Sequence, residues 1–394
     1  MDRDLLLLTR SLRLFAYGAL SVVLVLYLTA LGFTASQIGL LLTLTLAGDT
    51  IVSLILTTRA DRFGRVRVLV AGAVLMAVAG AAFAVTTNFV VLLIAGTIGV
   101  ISPSGNEVGP FLPVEQAALA QVVPPSQRTS AFSWYTLAGA MATAIGSLAG
   151  GGLSQAFHSY RVVVLLYAAI GLLLAASFTR LSPRIEVAMS ELSQSLFGLG
   201  ASRRTVMKLA GLFALDAFAG GFVVQSFAAY WFHLRFGVSA AGLGAIFFGA
   251  NVLAGLSALL ATRLAARFGL VRTMVLTHLP SNILLILVPL MPTLPLAVAV
   301  LLVRFSISQM DVPTRQSYLM AVVRPEERSA AGGVTGVART AGAALAPVFA
   351  GFLFSRPGLI GVPFFIAGAL KIVYDLLLYR GFEKVPPPEE QPIT

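Results

Sequence analysis

The chain has 394 residues, of which 58% are hydrophobic and only 11% are charged, and its mean hydropathy is +0.91. Soluble domains carry about 25% charged residues, so this composition excludes a water-soluble fold and indicates a membrane protein. The net charge of +11 raises nucleic-acid binding as a second interpretation, which the positions of the charges must decide. The absence of cysteine excludes disulfides, thiol catalysis and cysteine-ligated metal sites.

Apolar windows of about 20 residues, the length that crosses the hydrocarbon core, predict an all-α membrane protein with twelve transmembrane helices. In chain order these windows are residues 12–31, 37–57, 68–86, 89–122, 128–153, 161–180, 206–232, 240–262, 273–291, 294–322, 328–354 and 361–380. The fourth and tenth windows exceed a straight span and contain Pro110, Pro113 and Pro313, which predicts tilted or bent helices.

The basic residues indicate which side of the membrane each connection occupies. Most Lys and Arg residues flank the connections on the side of the two termini, whereas the opposite side holds only Arg161, Arg235 and Arg356. Positive charge stays on the cytoplasmic face during insertion, so we expect both termini to be cytoplasmic and the protein to lie in a cell (inner) membrane. The basic excess is therefore a topology signal, and no nucleic-acid partner is expected.

One long polar connection, residues 181–205, divides the chain into two six-helix halves, 1–180 and 206–380. We interpret this connection as a cytoplasmic linker. The tail 381–394 contains a triple proline and two adjacent glutamates, and its composition predicts disorder on the cytoplasmic side.

Two internal repeats support this division. Residues 60–67 match residues 265–272, each between the second and third helices of a half, and the stretch 109–116 has an echo at 311–316 in the equivalent fourth helix. Two pseudo-symmetric six-helix halves with a binding site near the membrane midplane are a known transporter architecture.

The sequence Asp61-Arg62-Phe63-Gly64-Arg65 lies at the start of the first repeat. It resembles the loop signature of the major facilitator superfamily, G-x-L-A-D-R-x-G-R-K. The resemblance implies that Asp61 caps a helix of the other half and latches the cytoplasmic side, with Arg62 or Arg65 as local partners and Gly64 in the turn. In a second interpretation these arginines only fix the topology. The glycine-rich fifth helix resembles that of drug/proton antiporters, but helix packing explains its glycines equally.

Ten charged residues lie inside the predicted spans, where each costs at least about 2.5 kcal/mol and therefore needs a partner, a cavity or a function. They are Asp49, Glu107, Glu115, Asp216, Arg304, Asp311, Arg315, Arg339, Lys371 and Asp375. Lys371 and Asp375 are four residues apart on one helical face, which predicts that they pair with each other.

Glu115 and Arg315 occupy equivalent positions of the repeat. We predict that they form a gate, as a salt bridge or a network with Gln116 and Gln316, across the cytoplasmic half of the cleft in the outward-facing state. The alternative is that each charge pairs within its own half, with Arg315 bound to Asp311 one turn away.

Glu107, Asp49 and Asp216 are the candidate proton-coupling residues, in that order. A carboxylate in a cleft of low dielectric constant can take up and release protons near neutral pH. Gly109 and Pro110 suggest an opened backbone beside Glu107. In the alternative interpretation these carboxylates are hydrogen-bonded residues of helix packing.

The remaining polar and aromatic candidates concern the substrate. Arg339 has no acidic neighbour in sequence, so it could neutralise a carboxylate of another helix or bind an anionic substrate with its bidentate fork. We also place Arg304, Asn106, Tyr17 and Phe222 among the substrate-binding candidates.

The predicted function is secondary active transport by alternating access, with proton-coupled export of small amphipathic compounds or metabolites as the first hypothesis. The alternative is an organic-anion carrier that uses Arg304, Arg315 and Arg339. No ATP-binding motif and no catalytic signature is present, so no enzyme activity, cofactor or metal is expected. The expected partners are a small-molecule substrate, protons and the lipid bilayer, and we expect a monomer.

Overall fold

The structure is a computed structural model that describes residues 2–124, 128–186, 200, 202–324 and 327–383. Within these ranges the chain forms α-helices and no β-strand. The helices are α1 (Asp2–Ala30), α2 (Ala35–Phe63), α3 (Arg65–Val85), α4 (Phe89–Ile98), α5 (Phe111–Val122), α6 (Arg128–Ala156), α7 (Arg161–Phe178), α8 (Arg203–Gly221), α9 (Gln225–Phe236), α10 (Ala240–Phe268), α11 (Leu270–Leu287), α12 (Leu294–Ser308), α13 (Asp311–Val322), α14 (Arg328–Phe354) and α15 (Val362–Phe382).

These helices account for twelve spans. Eleven stretches of the described chain are long and apolar enough to cross a membrane, and two of them join consecutive helices, α8 with α9 and α12 with α13. The short apolar helix α4 is followed by α5, and together they supply the fourth span. The prediction of an all-α membrane protein with twelve transmembrane helices is confirmed.

The fourth and tenth spans each consist of two separate helices, whereas we predicted tilted or bent helices. Residues 99–110 separate α4 from α5 without helical structure. Pro110 occupies the N-cap of α5, and Pro113 and Pro313 stand in the first turns of α5 and α13. A proline at a helix start loses no internal hydrogen bond, so these prolines begin new helices and do not bend old ones.

The broken backbone in the fourth span finds hydrogen-bond partners on neighbouring helices. The Tyr167 hydroxyl donates to the Val100 carbonyl at 2.7 Å, and the Tyr17 hydroxyl donates to the Val108 carbonyl at 3.3 Å. Unpaired backbone groups at membrane depth are costly unless protein or water satisfies them. The two buried tyrosines therefore make the break at 99–110 tolerable.

The chain divides into two compact units, which we describe separately. Unit 1 comprises Met1–Ser193 and Val224–Asn251, and unit 2 comprises Gln194–Val223 and Val252–Thr394. The predicted division into halves 1–180 and 206–380, with the linker 181–205, concerns the repeat along the chain and stays a prediction. The disorder predicted for the tail falls almost entirely outside the described residues.

Within unit 1, the segment Val224–Asn251 is fastened to the first and sixth helices by a small polar network. The Gln225 amide donates to the Ser21 hydroxyl at 2.8 Å and to the Ser147 hydroxyl at 3.2 Å. The Asn251 amide donates to Ser147 and to the Gln225 carbonyl oxygen, both at 3.2 Å. These contacts join α9 and α10 to α1 and α6.

The main helix pairs of the two units follow one scheme. In unit 1, α1 packs on α6 and α3 on α7, while in unit 2, α8 packs on α14 and α11 on α15. A Cβ atom at Gly146 of α6 would lie 2.0 Å from the Phe15 carbonyl oxygen, and one at Gly342 of α14 would lie 2.3 Å from the Ala214 carbonyl oxygen. Small residues let the paired backbones approach, which supports the packing interpretation of the glycines in the fifth span.

The close approach of α1 and α6 makes a testable prediction about two glycines of one helix. Gly146→Ala places a methyl group against backbone that cannot move aside, and we expect it to lower the free energy of unfolding by about 1–3 kcal/mol. Gly152→Ala is the matched control, because no atom lies within 4 Å of the added methyl group. Thermal and denaturant unfolding in detergent would measure both, and equal effects of the two substitutions would contradict the packing model.

Candidate functional site

Unit 1 contains a buried ion pair between α1 and α5. Both terminal nitrogens of the Arg13 guanidinium donate to the Glu115 carboxylate, each at 2.7 Å, and both side chains are fully buried. The Tyr135 hydroxyl of α6 also donates to Glu115. A bidentate, charge-assisted pair is among the stronger contacts available to two side chains, and it fixes the start of α5 against α1 and α6.

Glu107, the first candidate for proton coupling, lies in the break of the fourth span beside this pair. Its carboxylate accepts from Arg13 at 3.3 Å and is 2.7 Å from an Arg10 nitrogen. The Arg10 guanidinium also stacks over the Tyr135 ring at 3.9 Å. Two arginines and two glutamates therefore form one cluster without net charge in unit 1.

Asp49, the second coupling candidate, has a different environment on α2. Its carboxylate accepts from the Gly109 backbone N–H at 2.6 Å and from the Ser53 hydroxyl at 3.4 Å, and the residue is only 8% exposed. Within the described ranges no cation pairs with Asp49. Gly109 has a φ of 78°, in the left-handed region that glycine adopts easily, so the break turns an N–H toward this carboxylate.

Asp216, the third coupling candidate, is the centre of a second cluster, in unit 2. Its carboxylate is 2.5 Å from the Lys371 ammonium and 3.1 Å from Arg315. Arg315 also lies 3.2 Å from Asp311, one turn away on α13. Helices α8, α13 and α15 thus meet through paired charges.

The predicted pairing of Lys371 with Asp375 was wrong, because both residues pair with other helices. Lys371 binds Asp216, and Asp375 binds His278 and Asn282 of α11. The His278 Nδ1 atom lies 2.8 Å from one Asp375 oxygen, and the Asn282 amide donates to the other at 2.9 Å. On the opposite side of the ring, Nε2 lies 3.8 Å from Asp216.

Arg304 of α12 and Arg339 of α14 are half-buried cations of the unit 2 spans, and neither has a counter-ion within 4.0 Å among the described residues. The Nε atom of each is buried and makes no hydrogen bond in that part of the chain. Arg304 stacks on the ring of its neighbour Phe305 at 4.9 Å. We predicted that Arg339 either neutralises a carboxylate of another helix or binds an anionic substrate. Since no described carboxylate contacts Arg339 directly, the first alternative has no ion pair to support it.

The predicted latch is only partly described. The side chains of Asp61 and Arg62 lie outside the described residues, so their roles stay predictions. Gly64 ends α2 with a φ of 97°, and the Glu186 carboxylate accepts from the backbone N–H groups of Arg65 at 2.7 Å and Val66 at 3.1 Å. A carboxylate at a helix start complements the dipole, so Glu186 caps α3.

The predicted gate residues have the following surroundings. Glu115 is bound by Arg13 and Arg315 by Asp216 and Asp311, while Gln116 and Gln316 are exposed. These contacts agree with the alternative in which each charge pairs within its own half. The Glu115–Arg315 bridge, which we predicted for the outward-facing state, stays a prediction.

The other substrate-binding candidates differ in how far their side chains are exposed. Asn106 is exposed in the break of the fourth span, whereas Tyr17 is buried and its hydroxyl is bound to backbone. Phe222 is buried in an aromatic group with Phe218 and Phe349, at ring-centroid distances of 5.2 and 6.4 Å. Their roles in substrate binding stay predictions.

Sequence reasoning missed four members of the two clusters. Arg10 and Arg13 were counted as loop charges that set the topology, although their spacing of three places them on one face of an apolar helix. His278 and Asn282 share a face of α11 at a spacing of four, which is the signal that could have found them. The described residues include no group of His, Asp and Glu that could hold a metal ion.

The buried pair in unit 1 predicts a large effect of neutralising Glu115. Glu115→Gln leaves Arg13 buried with its charge only partly compensated by Glu107, so we expect the free energy of unfolding to fall by about 3–5 kcal/mol. Arg13→Met combined with Glu115→Gln keeps the cluster neutral and should recover much of this loss. Denaturant unfolding would measure both variants.

The control is Glu383→Gln, which removes a pair of 3.3 Å with Arg272 at the protein surface. Surface pairs contribute little, so this variant should resemble the parent protein. A loss for Glu115→Gln no larger than that for Glu383→Gln would contradict a structural role of the buried pair.

Comparison with known proteins places the chain in a family. The model described as the Major Facilitator Superfamily matches residues 6–303 and 209–394. The protein described as "Uncharacterized membrane protein YJR124C" of Saccharomyces cerevisiae is 32% identical, over 96% of this chain and 93% of its own length. Quinolone resistance protein NorA of Staphylococcus aureus is 30% identical over 141 residues, which are 36% of this chain and 35% of that protein. A solved structure of the nucleoside transporter NupG in a mutant form matches with a TM-score of 0.78 and 17% identity, over 97% of this chain and 100% of that one. The chain therefore belongs to the major facilitator superfamily of membrane transporters.

Proposed function

We propose that this chain is a secondary active transporter that carries small organic anions by alternating access. The observation that carries the proposal is a pair of half-buried arginines, Arg304 and Arg339, whose buried Nε atoms have no hydrogen-bond partner among the described residues. A buried cation without a counter-ion is costly, so a protein retains it where a ligand supplies the missing charge.

The carboxylates of unit 2 are already engaged by other groups. Asp216 is held by Lys371 and Arg315, and Asp311 lies against Arg315. Asp375 accepts from the side chains of α11. All three carboxylates of the cluster therefore already have partners. Arg304 and Arg339 do not share them directly and could bind an external anion.

The chemistry of the guanidinium group favours carboxylates and phosphates as substrate groups. Its planar fork can donate two parallel hydrogen bonds to such an anion, and it keeps its charge at any physiological pH. Arg304 and Arg339 project from two different helices, α12 and α14, so a ligand that binds both would hold these helices together. Relative movement of helices that share a ligand is what alternating access requires.

Neutralising either arginine tests the proposal. We expect Arg304→Gln and Arg339→Gln each to weaken anion binding about 10-fold to 100-fold, the effect of losing charge-assisted hydrogen bonds. Arg304→Lys and Arg339→Lys should bind with intermediate affinity, because the charge remains and the fork is lost. The measurement is the rise in melting temperature with monocarboxylates, dicarboxylates and phosphate esters, followed by uptake of the best ligand into proteoliposomes.

Arg235→Gln is the matched control, because Arg235 is exposed at the end of α9 and stacks on Phe236. A neutral nucleoside and a cationic dye should be included in the same screen. The proposal fails if neutral or cationic compounds stabilise the protein and no anion does, or if the glutamine variants of Arg304 and Arg339 bind anions like the Arg235 control.

A second candidate is proton-coupled export of small amphipathic compounds, with Asp49 as the proton carrier. Of the three predicted coupling residues, Glu107 and Asp216 have arginine or lysine partners, so a proton there would break an ion pair. Asp49 has none among the described residues, and its neutral form avoids a buried uncompensated charge. The partial similarity to Quinolone resistance protein NorA supports efflux as the direction of transport.

Asp49→Asn separates this candidate from the first. The amide keeps the size of the side chain and cannot exchange a proton, so dye efflux driven by a pH gradient should be lost while exchange of labelled for unlabelled substrate persists. Ser53→Ala is the control, since it removes only the 3.4 Å hydrogen bond to Asp49. Gradient-driven efflux that survives in Asp49→Asn would exclude Asp49 as the proton carrier.

We further propose, from the distribution of basic residues, that both termini face the cytoplasm in the cell (inner) membrane and that the transporter acts as a monomer. The excess of Lys and Arg on one side of the spans supports the orientation. In this orientation Gly64 and Arg65, at the start of α3, lie at the cytoplasmic ends of the spans.

A further inference from the structure

We propose that a surface groove along α3 binds an anionic phospholipid, with the lipid phosphate held by Arg67. This inference goes beyond the proposed function and does not depend on it. The groove, which we call the α3 groove, lies within unit 1 and has a volume of about 630 Å³. It is lined by residues of α3 and by the residue that follows α7, namely Val66, Arg67, Val70, Ala71, Val74, Leu75 and Thr179.

The lining residues of α3 form two rows on one face of the helix. Each row has a spacing of four residues, which places side chains one above the other. One row consists of three valines, and the other consists of Arg67, Ala71 and Leu75. Because Ala71 is short and stands between two long side chains, it leaves open space beside Arg67. The α3 groove therefore continues from the guanidinium group toward Leu75.

The α3 groove has one polar end and an apolar body. Its two polar residues lie at the same end, because Arg67 is in the first turn of α3 and Thr179 follows the last residue of α7. From Arg67 to Leu75 the helix rises about 12 Å. This length is most of the hydrocarbon thickness of one leaflet, which is about 15 Å. A cationic end above an apolar body of this length matches the phosphate and the acyl chains of a phospholipid.

Arg67 is available to a phosphate group. Its side chain is exposed and has no acidic group within 4.0 Å in the part of the chain that the structure describes. The neighbouring Arg65 is already engaged, because it is buried and donates to the Ile185 carbonyl at 2.9 Å and to the Gln121 side chain at 2.6 Å. The backbone N–H groups at the start of α3 are bound to the Glu186 carboxylate. A phosphate at this end must therefore bind side chains.

Other basic residues at this end favour an anionic lipid over a zwitterionic one. Arg180 follows directly on Thr179, and Arg184 lies in the short helical turn after α7, and both are exposed. The Asp2 carboxylate at this end already accepts from the backbone N–H of Ser182 at 3.1 Å. Basic residues near a membrane surface attract anionic lipids. The apolar body of the groove would hold any acyl chain, so the arginines select the lipid by its headgroup.

Lipid binding to the delipidated full chain in detergent tests the headgroup. Native mass spectrometry would compare phosphatidylglycerol with phosphatidylcholine of identical acyl chains, and we expect the parent protein to bind phosphatidylglycerol about 10-fold more tightly. Arg67→Gln should weaken phosphatidylglycerol binding about five-fold, the effect of one basic residue near anionic lipid, and leave phosphatidylcholine binding unchanged. The control is Arg235→Gln, which changes an exposed arginine at the end of α9. Equal binding of the two lipids by the parent protein, or equal binding of phosphatidylglycerol by the two variants, would overturn the proposal.

A second pair of variants tests the groove itself. Ala71→Phe fills the space beside Arg67, so binding of phosphatidylglycerol should fall about 10-fold or more. Val78→Phe is the matched control, because Val78 is an exposed residue of α3 that does not line the groove. Both positions are accessible at the helix surface, and thermal unfolding without lipid would verify that the variants fold alike. The proposal is refuted if Ala71→Phe and Val78→Phe bind the lipid with the same affinity.

Two further measurements exclude other occupants of the α3 groove. Glycerophosphoglycerol carries the same headgroup without acyl chains, and it should bind about 100-fold more weakly than the lipid because it leaves the apolar body empty. Comparable binding of the two would assign Arg67 to a soluble anion and contradict the lipid. A parent protein that retains no lipid and forms a dimer, which Ala71→Phe converts to a monomer, would assign the groove to a second copy of the chain.

Discussion

The cost of charge inside a membrane governs the arrangement of this protein. Each buried ion needs an opposite charge, hydrogen bonds or access to a ligand. Unit 1 meets this need with equal numbers of arginines and glutamates, tied by the bidentate contact of Arg13 with Glu115. Unit 2 meets it only in part, because its carboxylates are fewer than its cations. This difference in charge balance distinguishes two units whose helices pair in the same scheme.

The same constraint applies to the backbone and explains where the helices break. Residues 99–110 lose helical hydrogen bonds at membrane depth, and side chains of α1, α2 and α7 replace them. One of these substitutes is Asp49, whose carboxylate accepts the N–H of Gly109. Asp49 thus satisfies a backbone N–H of the break, and it is also a buried carboxylate that has no cation as a partner among the described residues. Under the second candidate function, the backbone contact and the proposed proton exchange would both fall on Asp49, since both require an acceptor in an apolar place.

The helix count and the membrane-spanning character were predictable because they depend on local composition and spacing. The partners of the charged residues were not. Lys371 and Asp375 share a helical face, yet each found a better partner on another helix, Asp216 and His278 respectively. Pairs separated by 155 and 97 residues leave no periodic signal in one sequence. The break in the seventh span between α8 and α9 was missed as well, because no proline marks it.

In the proposed function, the anion site of unit 2 depends on the excess of cations over carboxylates in the unit 2 cluster. If every cation had a carboxylate partner, an incoming anion would have to displace one, and its binding energy would be spent on breaking an ion pair. Here Arg304 and Arg339 are half-buried, and their Nε atoms have no hydrogen-bond partner among the described residues, so the protein without a ligand bears the cost of this partial burial. In the proposed function, an anion that binds there would relieve that cost. Such a ligand would stabilise the arrangement of α12 and α14 that holds it, and differential stabilisation of one arrangement is the only means by which a ligand can shift a conformational equilibrium.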